Sequence, residues 1–305
     1  MEMVYTMNQT LPNLKDKPYG GAWSIHDSEI KSFIKDKSAL YPQINVAEFL
    51  NNYKSWLTIS QNLYGFNSYN YLTYSNGTTE AFDKFYQKYS REDRRLRLWK
   101  GEYFYHQIQA RENFTQFAWI NEDSIVPNDV VVVSAPFSDT GSLPQDFDSV
   151  MQQCCDLKVP VLLDMAYLSL TKDFYINLDY PCIETITTSL SKVFPVEHMR
   201  IGIRLNRHKT DDTLDAYCNQ ATPYVNTIGV YIGNELIKKF PQQYVNNKWE
   251  SAQLDVCKQL DVEPSNCVIF GIDTKNLYKE YNRGGNTNRL CFSNLWGNRN
   301  DTLHT

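Results

Sequence analysis

Residues 159–167 read Val-Pro-Val-Leu-Leu-Asp-Met-Ala-Tyr, residues 189–192 read Ser-Leu-Ser-Lys, and Arg200 follows eight positions later. The first stretch is a continuous apolar run of strand length that ends on an acid, Asp164. Continuous rather than alternating apolar character is what a strand covered on both faces needs. In an open α/β sheet the carboxyl ends of such strands border the ligand crevice, which puts Asp164 and Tyr167 where a ligand binds. Residues 130–134 (Val-Val-Val-Val-Ser) form a second run of this kind. Residues 145–156, between the two runs, carry apolar positions at helical spacing and complete a β-α-β unit.

Working outward, residues 46–59 and 79–89 have helical periodicity, and 69–74 is a β-favouring run that ends at Ser75-Asn76-Gly77. Residues 185–188 and 201–205 read as further strands. Beyond Arg207 the pattern gives helices over 225–240 and 248–260 and strands over 267–272 and 289–292. Residues 1–30 read as irregular. The expected architecture is α/β, with an N-terminal arm over 1–45, a large α/β domain with a mostly parallel central sheet over 46–210, and an interdomain helix with a reduced C-terminal α+β small domain over 211–305. The run over 91–100, Arg-Glu-Asp-Arg-Arg-Leu-Arg-Leu-Trp-Lys, reads as a solvated basic helix face or as a lure for an acidic substrate.

The chain has 305 residues, 42 % of them apolar, so it has the material for a large core. A net charge of −5 excludes a general nucleic-acid binder, which needs a basic excess to neutralise phosphates. No apolar run approaches the roughly 20 residues of a membrane span, and residues 1–21 lack the apolar centre of a signal peptide. Seven cysteines, an odd number without CxxC spacing, fit reduced thiols and a cytoplasmic location, and no metal site is expected.

Taken together, Lys192 offers a Schiff-base amine, Arg200 a planar fork for phosphate, Ser189 a hydroxyl beside it, and Asp164 a carboxylate for a ring nitrogen. Pyridoxal 5'-phosphate requires this set. Each member alone has an ordinary reading as a surface ion pair or a helix cap; the joint order carries the inference. Ser75-Asn76-Gly77-Thr78-Thr79-Glu80 runs from a strand into a helix, where free N–H groups and the Thr78 and Thr79 hydroxyls suit a phosphate, or simply cap the helix. Tyr103 is a flat partner for a heterocycle, and Tyr167 a hydroxyl for its phenolic oxygen.

With these residues in place, the chain resembles the class I/II aminotransferases, the PLP-dependent enzymes of fold type I, and within them the histidinol-phosphate aminotransferase-like branch. The resemblance runs from about Tyr41 to Arg207 and returns near Arg289. It implies that Tyr41 reaches the partner's phosphate across a homodimer and that Gly77, Thr78 and Thr79 form the phosphate loop. It also implies that Tyr103 stacks on the ring and that Arg289 binds a substrate carboxylate, with Trp23 bordering the substrate pocket. Pro136-Phe-Ser138-Asp-Thr140-Gly141 resembles the family's Asn-Pro-Thr-Gly turn, but Ser138 replaces an asparagine that bonds the cofactor's phenolic oxygen. Serine is shorter, so its reach is through water. The activity implied is amino transfer between an amino acid or related amine and a 2-oxo acid. The alternatives are a PLP-dependent lyase, cyclase or oxidase, and a non-catalytic member of the fold.

Overall fold

A computed structural model describes residues 11, 19–20, 22, 24–38, 44–59 and 61–296. In chain order the elements are α1 (Ser28–Ser38), α2 (Val46–Leu57), β1 (Asn62–Tyr64), β2 (Tyr71–Asn76), α3 (Gly77–Arg91), β3 (Arg95–Leu98), α4 (Phe104–Asn113), β4 (Phe117–Trp119), β5 (Asp129–Ser134), α5 (Phe147–Asp156) and β6 (Val161–Asp164). They continue as β7 (Tyr175–Asn177), β8 (Ile183–Ser189), β9 (Ile201–Asn206), α6 (Thr213–Cys218), α7 (Thr227–Lys239), α8 (Tyr244–Leu260), β10 (Glu263–Pro264), β11 (Phe270–Asp273) and β12 (Asn288–Cys291).

Seven strands form the central sheet in the order β2-β9-β8-β6-β5-β3-β4. All neighbours from β8 to β4 pair in parallel, and β9 runs antiparallel to both β8 and β2. The valines of β5 show why the runs are continuous. Val131 and Val133 join the cluster on one face, Val130 and Val132 the cluster on the other, and all four are fully buried. A strand with a period of two side chains needs apolar residues at every position when helices cover both faces. Chain ends build the smaller part: β10, β11 and β12 make an antiparallel sheet against which α8 packs.

Two expectations are corrected. Residues 28–38 are helical although the N-terminal region reads as irregular; Asp27 starts this helix by accepting hydrogen bonds from the Glu29 and Ile30 N–H groups. The basic run over 91–100 is not a solvated helix face, since its centre is β3. Arg95-Leu96-Arg97-Leu98 alternates with the strand period, and Arg97 is completely buried. Its guanidinium donates to Asp129 at 2.7 Å and to the carbonyls of Ala118, Ser124, Trp119 and Asp123. Asp129 also accepts from Arg95 at 2.6 Å. The buried charge is tolerated because nearly every donor is matched. Arg97→Ala leaves Asp129 only its Arg95 partner and takes the donor from four carbonyls, so it is expected to lower unfolding free energy by at least about 1–3 kcal/mol. A denaturant titration checks this; a loss below 1 kcal/mol would mean that water reaches Asp129.

Candidate active site

Strand register brings the chemistry of the chain to one sheet edge. Ser134 pairs with Asp164, Asp164 with Thr187, Ser189 with Gly202, and Ile201 with Asn76. Because β9 is antiparallel, its start at Ile201, just after Arg200, lies beside the ends of β8, β6 and β5. The loops after β6 and β8 and the segment leading into β9 open into one cavity of about 600 Å³. Its walls include Thr78 and Thr79 from the start of α3, Tyr103, Asp164, Tyr167, Ser189, Lys192, Arg200 and Arg289. Nine expected site residues from six separate segments therefore meet in one place.

One corner is built for an anion. Gly77 opens α3 with φ of 73°, and a Cβ there would run into the Arg200 guanidinium. Gly202 faces it from β9, where a Cβ would come within 2.9 Å of the Gly77 Cα. Two glycines thus let the helix start, β9 and Arg200 close on each other. Arg200 donates to Thr79 Oγ1 at 2.9 Å and is paired with no carboxylate among the described residues. Glu80 takes up the capping role, accepting from the Asn76 N–H at 2.7 Å, which leaves the threonine hydroxyls toward the cavity. Ser191 adds a buried hydroxyl with no hydrogen-bond partner among the described residues.

The opposite side holds Asp164, buried, with Oδ1 accepting from the Ala166 N–H at 3.0 Å. Tyr103 lines the same cavity at the start of α4. Glu102, fully buried, positions it by accepting from the Tyr103 N–H and from both the N–H and hydroxyl of Ser134. Tyr167 lines the wall with its ring edge against Phe270 at 5.1 Å, and burial raises its phenol pKa above the ordinary value. Lys192 donates to the Ala22 carbonyl at 2.6 Å, and burial pushes its amine below the usual lysine range. Lowering an amine's pKa raises the share of the neutral form, which is the form that acts as nucleophile or proton acceptor.

Arg289 lies on β12, almost fully buried, donating to the Ser138 carbonyl at 2.6 Å with its Nε unpartnered among the described residues. Ser138 does not line the cavity; its hydroxyl donates to the Gly101 carbonyl at 3.2 Å. The side chain belongs to the wall behind the site, and its carbonyl is what holds Arg289. Tyr41 and Trp23 lie outside the described residues.

Three residues escape sequence reasoning: Arg283 and Glu197 in the wall, and His106, buried outside the lining. Arg283 reaches the cavity and donates to the same Ser138 carbonyl at 2.6 Å, so two guanidinium groups converge there without a carboxylate partner among the described residues. Burial and the neighbouring Arg289 charge lower its pKa. Glu197 ties the N-terminal segment to the cavity, bonding His26 at 3.0 Å and Ser24 at 2.9 Å. Burial works against its charge, but these bonds hold its carboxyl below the ordinary range. His106 sits one turn beyond Tyr103 and faces Asp164 at 3.7 Å. Only His106 left a trace in the sequence, the i, i+3 spacing from Tyr103.

No family model and no curated protein matches the chain. Solved structures do. The histidinol-phosphate aminotransferase from Clostridium acetobutylicum is similar with a TM-score of 0.63 at 14% identity, over 91% of this chain and 95% of that one. The L-threonine-O-3-phosphate decarboxylase from Porphyromonas gingivalis is similar at 0.59 and 17%, over 89% and 94%. A PLP-bound C-S lyase from Staphylococcus hominis is similar at 0.60 and 12%, over 92% and 82%. The chain has the fold of the PLP-dependent transferases of fold type I, as the sequence resemblance implies. No helix among the described residues is long and apolar enough to cross a membrane.

Proposed function

We propose that this chain is a pyridoxal-phosphate-dependent aminotransferase that moves an amino group between an amino acid, or a related amine, and a 2-oxo acid. The observation that carries the reading is the shared cavity of Lys192, Asp164 and the Arg200 corner. The residues fit the cofactor: the Gly77–Gly202 cradle and the orphaned Ser191 hydroxyl suit a phosphate, and Asp164 is a buried carboxylate within reach of a heterocycle on Tyr103. Thr78, Thr79, Ser189 and Arg200 would hold the phosphate, Asp164 the ring nitrogen, Tyr103 one ring face, Tyr167 the phenolic oxygen and Lys192 the aldehyde end. When bound, the cofactor supplies an electron sink that stabilises negative charge at the carbon bearing the amine. Lys192 Nζ, whose pKa burial lowers, takes up and returns the proton at that carbon.

Substrate recognition falls to the arginine side. Arg200, Arg283 and Arg289 line the cavity against two carboxylates, Asp164 and Glu197, which favours anionic substrates. A guanidinium fork meets a carboxylate with two bonds where an ammonium offers a point charge. Arg289→Lys gives up about one charge-assisted hydrogen bond, about 1.5–3 kcal/mol, so KM for amino acids should rise roughly 10- to 100-fold. Cofactor retention should be unchanged. If KM holds steady while melting temperature drops, Arg289 braces the Ser138 loop instead.

A homodimer completed by Tyr41 and a cytoplasmic location accompany this reading; the seven cysteines, all unpaired, support the latter. The test is amino exchange. Protein reconstituted with pyridoxal phosphate, given an amino acid and a different 2-oxo acid, should yield the matching 2-oxo acid and new amino acid in equal amounts. Carbon dioxide, ammonia or peroxide without that exchange assigns a lyase, decarboxylase or oxidase on the same site.

A further inference from the structure

We propose that Tyr86 is a positioning residue for this site: its phenol fixes His106 as the tautomer with the proton on Nε2, the nitrogen that faces Asp164. The proposal rests on reading Asp164 as the carboxylate that meets the bound ring. Tyr86 and His106 are both buried, and the phenol oxygen lies 2.5 Å from His106 Nδ1. That contact is the only hydrogen bond of the phenol among the described residues.

Donor accounting then decides the tautomer. A phenol has one proton to give, and a neutral imidazole has one nitrogen that donates and one that accepts. If Nδ1 carried the proton, it would donate to the phenol oxygen, and the phenol's own proton would be left among Phe82 and Phe114 with no acceptor. In that tautomer the bare Nε2 lone pair would also face the Asp164 carboxylate, whereas in the other the nitrogen 3.7 Å from Oδ2 presents its proton to that charge. Burial keeps the phenol protonated, with its pKa raised well above the ordinary value, and the Glu102 and Asp164 charges act in the same sense. The phenol therefore donates, Nδ1 accepts and Nε2 carries the proton.

Nε2 has no hydrogen-bond partner among the described residues and stands 3.7 Å from Asp164 Oδ2. Phe82 packs its ring edge-on to the imidazole at 4.6 Å and Tyr103 does so at 5.6 Å, so the plane is held from two sides. With Oδ1 engaged by the Ala166 N–H and Oδ2 facing the Nε2 proton, the Asp164 carboxylate has one orientation. Tyr86 touches neither cavity nor reacting atoms; it acts through His106.

The test reads the tautomer directly in the cofactor-free chain carrying ¹⁵N-labelled histidine, through two-bond proton–nitrogen correlations at mildly alkaline pH. His106→Gln identifies the relevant signals among the five histidines. Wild-type protein should show His106 protonated on Nε2 alone. Tyr86→Phe should convert that signature to the Nδ1 form or to a mixture and leave the other histidines unmoved. An Nδ1 proton in the wild type overturns the proposal, and so does a pure Nε2 signature in Tyr86→Phe. Should that variant fail to fold, the wild-type spectrum decides alone. Because no cofactor is present, a chain that does not bind pyridoxal phosphate still gives this answer, which separates the two failures.

Discussion

Lys192→Ala is expected to fold, to lose covalent attachment of pyridoxal phosphate, and to turn over slower by at least roughly 10²–10⁴-fold, the share that a positioned acid–base group contributes. Among the described residues no other lysine lines the cavity to replace it. The substitution also has a signature in stability. Burial lowers the Lys192 pKa from 10.5, so in the relevant window the unfolded chain binds a proton that the folded chain refuses. Wild-type stability must therefore fall as pH drops below 10.5 toward the folded value, and level off below it. The alanine variant lacks that slope, so its stability relative to wild type improves toward neutral pH. Denaturant midpoints across this range, alongside steady-state rates, check both halves. Normal turnover in the variant would remove Lys192 from the chemistry.

Asp164→Asn should be the second most damaging change. An amide oxygen can still accept the Ala166 N–H, so local structure and cofactor binding survive. The neutral amide cannot hold a proton on a pyridine nitrogen, and the electron sink weakens. Loss of one preorganised electrostatic partner costs roughly 10²–10³-fold in rate. Rates for Asp164→Asn and Asp164→Glu, compared with cofactor retention on a desalting column, distinguish this from a binding defect. A wild-type rate in Asp164→Asn would place the ring's partner elsewhere.

The parts of the molecule legible in the sequence share one property: their side chains all face apolar surroundings or sit at fixed spacing from such a run. The run over residues 130–134 and the one ending at Asp164 are continuous because both faces are covered, and the strands follow to within two residues. Lys192 and Arg200 could be located because one short turn and one antiparallel strand start separate them. Arg97 was misread because a buried cation leaves no local signal of its own; its partner Asp129 lies 32 residues away. Arg283 and Glu197 were missed for a related reason. Arg283 depends on the Ser138 carbonyl 145 residues distant, and Glu197 on His26, 171 residues distant, and neither pairing has a periodicity to read.

The central claim, that this cavity holds pyridoxal phosphate on Lys192, meets its most direct test in one measurement. Wild-type chain mixed with pyridoxal phosphate is reduced with borohydride, digested and mapped by mass spectrometry. The account predicts one stoichiometric pyridoxyl label, on the peptide carrying Ser189-Leu190-Ser191-Lys192. A label distributed over surface lysines, or none at all, would contradict it.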